Sequence, residues 1–85
     1  MMKFTLFVKQ TTDKQYNPYG EFELQLFPHS DEFLSLDIDG HKKYFQVTAV
    51  HHILDGNPKS EVYAFETSPP WQYSGKQNIG FNFLL

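Results

Sequence analysis

The chain has no cysteine and no arginine, and each absence narrows what it can be. Without cysteine there is no disulfide framework, no thiolate zinc knuckle and no cysteine nucleophile. Arginine supplies the bidentate fork that reads phosphates and guanine edges. All seven basic residues are lysines (Lys3, Lys9, Lys14, Lys42, Lys43, Lys59 and Lys76), and the net charge is −3. A nucleic-acid binder normally presents a basic face, so no nucleic-acid partner is expected. No stretch approaches the ~18 apolar residues of a membrane span. The apolar run Phe4 to Val8 is closed by Lys9 and is too short for a signal peptide. The expectation is a soluble cytoplasmic protein with no membrane partner.

What is present is aromatic. Nine phenylalanines, five tyrosines and one tryptophan make up 18% of 85 residues. A chain this short forms one domain, taken here as residues 1–85, and buries roughly 60–65% of its unfolded surface. Few but large side chains are one way to build such a core, since each buried aromatic removes about 150–250 Å² from water.

The pattern is that of strands. Apolar residues alternate with polar ones at period two in Lys3 to Lys9, Glu21 to Phe27, Phe33 to Asp39, Lys42 to about Leu54, Glu61 to Thr67 and Gln77 to Leu85. Phe22, Leu24 and Leu26 are expected to point inward, and Ile79, Phe81, Phe83 and Leu85 to share one face of the last strand. No segment has a helical period; a single turn near Asp31 to Leu34 or in the Trp71 loop is the most helix expected. Asp39-Gly40 is a favoured pair for a two-residue hairpin turn, because both central residues need positive φ. That turn predicts the pairs Ile38 with His41, Asp37 with Lys42, Ser35 with Tyr44 and Leu34 with Phe45. It gathers Leu34, Leu36, Ile38, Phe45, Val47 and Ala49 on one face.

The next hairpin is predicted with His51 opposite Tyr63 and Ala49 opposite Phe65. Its second face turns apolar at Val50, so the long fourth strand is expected to bend and serve two sheets. The expected fold is all-β: a single small antiparallel barrel of about six strands, SH3-like or similar, with little or no helix. The rival is a flatter sheet with its second face in an oligomer interface. The apolar run Phe81, Phe83, Leu84 and Leu85 is expected either to close against the first strand or to meet a second copy, so a homodimer is among the expected partners.

Chemistry is thinly signalled. His51 and His52 are neighbours on a strand and point to opposite faces, and no HxH or HxxxH pair exists, so no metal is expected. Asp37 and Asp39 flank a turn, where carboxylates are normally solvated. There is no G-x-S-x-G, Gly-rich phosphate loop or H-E-x-x-H, so the chain is not expected to be an enzyme or to carry a cofactor. The candidate binding residues are Tyr16 and Tyr19 in the first long loop and Trp71 and Tyr73 in the last, beside Pro69-Pro70. Tyrosine and tryptophan are enriched at binding hot spots. Trp71 has a second reading, as a lid over an open barrel end. The favoured function is a non-enzymatic module that binds another protein through aromatic loops or an edge strand, as accessory subunit, adaptor or inhibitor. The alternative is a small-molecule barrel that stacks a planar ligand on those aromatics.

Overall fold

The computed structural model describes residues 1–72. Five strands form one curled sheet: β1 (Met2–Lys9), β2 (Asn17–Leu24), β3 (Phe33–Ile38), β4 (His41–Ile53) and β5 (Lys59–Thr67). Their order is β2-β1-β5-β4-β3. The result is a small all-β half-barrel with almost no helix. Among the described residues the only helical geometry is a turn at residues 70–72 in the Trp71 loop, where Gln72 N donates to Pro69 O at 3.0 Å. The expected sixth strand, Gln77 to Leu85, lies outside the described residues.

The β1–β5 pair is parallel, so the sheet is mixed rather than wholly antiparallel. β1 is flanked on one side by β2 and on the other by β5. The expected closure of the C-terminal run against the first strand lies outside the described residues.

The Asp39-Gly40 turn forms as its residues require, with φ of 53° and 80°. All four predicted pairs of that hairpin are present, from Ile38 opposite His41 to Leu34 opposite Phe45. The β4–β5 hairpin differs from expectation. Ala49 faces Tyr63 and His51 faces Glu61, two residues off the expected pairing, and β5 turns Val62 and Ala64 into the core where Tyr63 and Phe65 were expected. Between Val47 and Ala49 the register shifts, because Thr48 is an extra residue in β4. A bulge moves every later side chain to the other face. Ala49, expected inside, is consequently exposed, and Val50 packs against the core instead. The apolar residue at Val50 thus marks a bulge that keeps one core continuous. Thr48 is held there from both sides: its Oγ1 donates to Tyr63 O at 3.1 Å, and its carbonyl accepts from Ser30 Oγ at 3.3 Å.

The core is formed by Phe4, Leu6 and Val8 from β1, Phe45 and Val47 from β4, and Val62 and Ala64 from β5. Phe22, Phe27, Leu34, Leu36, Ile38 and Val50 pack around it. β2 begins and ends earlier than expected, at Asn17 and Leu24 rather than Glu21 and Phe27. Pro18 is tolerated because β2 is an edge strand. Leu26, expected inward, lies beyond the strand and is 70% exposed, since the chain there leaves the sheet to cross toward β3.

Candidate functional site

The three described aromatic candidates, Tyr16, Tyr19 and Trp71, do not converge. Tyr16 sits on the outer face of the sheet, its ring edge-on to Tyr63 at 5.5 Å and its hydroxyl 3.2 Å from Thr48 Oγ1. It is half-buried and already engaged. Trp71 packs edge-on against Tyr44 at 5.2 Å and remains 61% exposed, so it is not a lid buried over a barrel end. Tyr73 lies outside the described residues. On the outer face Phe7 stacks on Tyr63 at 4.9 Å across the parallel β1–β5 pair.

Tyr19 is different. In β2, Gly20 pairs with Leu6 and Pro18 pairs with Phe7, so Tyr19 is the extra residue of a second bulge. Bulges re-aim side chains. The Tyr19 ring lies parallel to that of Phe22 at 6.2 Å, and its hydroxyl donates to the Asp37 carbonyl at 3.0 Å. Asp37 belongs to β3, the opposite edge of the sheet. Tyr19 therefore bridges the two edges at one end of the half-barrel.

Below that bridge β2 and β3 do not pair with each other. Between them runs an apolar trough of about 180 Å³. Phe4 and Leu6 form its floor, Phe22 and Leu24 one wall, and Leu34 and Leu36 the other. Glu23 and Ser35 stand at its rim. Sequence reading counted these apolar residues as ordinary core. Their alternation shows which face they occupy; it cannot show that their two strands end up as the facing edges of the described sheet. The only local hint was Tyr19-Gly20, an aromatic and a glycine where a bulge opens the strand.

Polar chemistry is sparse. Glu61 Oε1 accepts from the Tyr63 hydroxyl at 2.7 Å and lies 3.2 Å from His51 Nδ1. The Tyr63 bond holds the Glu61 carboxyl below its ordinary range; partial burial opposes this, and His51 adds to it. The same bond raises the Tyr63 phenol above its ordinary value. His52 Nδ1 contacts Ser60 Oγ at 2.7 Å, and its ring packs edge-on to Phe27 at 4.9 Å. Among the described residues no three His, Cys, Asp or Glu side chains gather to hold a metal ion. No described helix is long and apolar enough to cross a membrane.

No protein-family model, curated protein or solved structure matches this chain.

Proposed function

We propose that this chain is a non-enzymatic protein-binding module, acting as an accessory subunit, adaptor or inhibitor, and that it works through its edge strands. The observation that supports this is the apolar trough between β2 and β3, the two edge strands of the sheet among the described residues. A sheet edge carries a row of free backbone donors and acceptors, and an extended peptide can add to it by main-chain bonding. The aromatic-loop mode is the weaker form of the reading. Tyr16 and Tyr19 are already bonded within the sheet, and Trp71 packs on Tyr44.

A planar small molecule is disfavoured on two grounds. The described loop aromatics form no common stacking platform, and the trough's volume of about 180 Å³ falls short of the roughly 300–1,000 Å³ of typical ligand pockets. The partner is taken to be a protein rather than a nucleic acid, in keeping with the acidic, arginine-free composition. A cytoplasmic location is part of the proposal, and a cysteine-free chain is compatible with it. The comparison with SH3-like barrels rests on size and curvature alone and carries no functional residue. A homodimer belongs to the same reading, favoured by the exposed Met2, Leu24, Leu26 and Leu54.

The test is a capture experiment with three baits: the native chain, Leu36→Asp and Trp71→Ala. A partner lost by Leu36→Asp and retained by Trp71→Ala supports the edge-strand mode. The reverse pattern moves the site to the Trp71–Tyr44 pair. A protein that captures nothing, while a metabolite library raises its melting temperature, overturns the reading in favour of a small ligand.

A further inference from the structure

We infer that the trough accepts one extended strand of another protein, apolar at alternate residues and basic at those between, and that Tyr19 sets its width. This rests on the protein-binding reading above.

The width comes first. A tyrosine side chain and a hydrogen bond in series span about 9–10 Å, close to two strand spacings of ~4.7–4.9 Å. The Tyr19 hydroxyl meets the Asp37 carbonyl at 3.0 Å, so β2 and β3 are held one missing strand apart at that end. Tyr19 suits this task because it is the bulged residue, with no partner on β1. Its stacking on Phe22 fixes its direction. Following the pairings around the sheet, β3 runs in the direction of β5 and β1, and β2 runs against them. A strand placed between β2 and β3 is parallel to one edge and antiparallel to the other, and it satisfies both.

The chemistry follows from the faces. Inward residues of such a strand would meet Phe22 and Leu24 on one side and Leu34 and Leu36 on the other. Outward residues would lie between Glu21 and Glu23 of β2 and Ser35 and Asp37 of β3. Glu21 pairs with Lys3 only loosely, at 3.9 Å with both side chains largely exposed. Lys42 stands opposite Asp37 in the register, yet neither Asp37 nor Glu23 is in an ion pair among the described residues. An acidic rim over an apolar floor selects a strand that alternates aliphatic and basic residues, because like charges placed together penalise the acidic version.

The experiment is an NMR titration of the full chain with blocked nonapeptides. The first alternates lysine and valine; the second alternates glutamate and valine; the third is the first with proline at its centre. The lysine peptide should bind one-to-one and slow amide exchange along Glu21 to Leu24 and Leu34 to Asp37. The glutamate peptide should bind roughly tenfold more weakly, and the proline peptide should lose roughly as much through its missing donor. Leu36→Asp should abolish binding. Glu23→Lys, an exposed substitution that spares the fold, should erase the preference between lysine and glutamate peptides. Tyr19→Phe should weaken the lysine peptide while leaving the circular dichroism unchanged.

Equal binding of the lysine and glutamate peptides overturns the inference, as does tight binding of the proline peptide. Slow amide exchange in residues 77–85 of the free protein, with no peptide bound, overturns it by assigning the trough to this chain's own C-terminal run. A doubled mass in light scattering, abolished by Leu36→Asp, assigns it to a second copy. If Leu36→Asp still captures a protein partner but no peptide binds, the trough is refuted and the protein-binding reading stands.

Discussion

The layer formed by β1, β5 and β4 and the mouth between β2 and β3 are built from the same kinds of residue, and they differ in what their backbones meet. In the layer every strand has two neighbours, and Phe45, Leu6, Val47 and Val62 are fully buried between them. At the mouth each strand has one neighbour among the described residues, and the leucines there are only half-covered or, like Leu24, 42% exposed. The contrast shows that apolar alternation describes a face and says nothing about enclosure. Enclosure depends on which strands become edges, and here that follows from the parallel β1–β5 pairing. The first region supplies stability, and the second is the one to which the proposal assigns binding.

Substitutions can break this contrast or sharpen it. Phe45→Ala should have the largest effect, a loss of about 3–5 kcal/mol in urea unfolding. That is a large part of the roughly 5–15 kcal/mol that holds an ordinary domain, so the variant should unfold at much lower urea. Leu24→Ala, at the mouth, should cost under about 1 kcal/mol and should affect partner binding more than unfolding. Equal losses at the two positions would mean that the mouth is as enclosed as the core, and the division of labour would fail.

Two glycines extend the comparison at intermediate magnitude. Gly40 has a φ of 80° in the turn that sets the β3–β4 register. Gly40→Ala should cost about 1–2 kcal/mol from the left-handed backbone alone, read as a shift of the denaturation midpoint with unchanged slope. Gly20 lies in β2, and a Cβ added there would meet Phe22 at 3.8 Å, an ordinary contact. Gly20→Ala should stay within about 0.5 kcal/mol. A costly Gly20→Ala would show that the β2 bulge at Tyr19 is strained.

How much of this was legible in the sequence depends on what determines each feature. The β3–β4 register was readable because a two-residue turn with Asp39-Gly40 fixes it locally. The β4–β5 register was not: residues 54–58 make a longer loop that specifies no single pairing, and the Thr48 bulge depends on contacts with Tyr63 and Ser30. The placement of β5 beside β1 pairs residues more than fifty positions apart, as in Leu6 with Val62. No local pattern encodes such a contact. The candidate site inherits this limit. Tyr19 was singled out for its residue type, and its bridge to Asp37 is what gives that choice a mechanism. Tyr16 was singled out on the same grounds and turned out to be an internal prop of the outer face.

The smallest expected effect concerns that outer face, where Tyr63 donates to Glu61 and His51 stands on the carboxylate's other side. Glu61 is depressed when folded, so its contribution to stability is complete above the ordinary carboxylate value and is lost as pH falls through the lowered folded value. Tyr63 is raised when folded, so its contribution is complete below the ordinary phenol value and is lost as pH rises through the raised one. The site is at the surface, so both slopes should be shallow. Because the Tyr63 bond is the leading cause, Tyr63→Phe should return the Glu61 carboxyl most of the way to its ordinary titration in a carboxyl-carbon NMR experiment. His51→Asn should move it less, in the same direction. If Tyr63→Phe leaves the titration of Glu61 unchanged while His51→Asn shifts it, the pair that matters is the ion pair. The cluster would then be held by the His51 contact on Glu61 rather than by the Tyr63 hydroxyl.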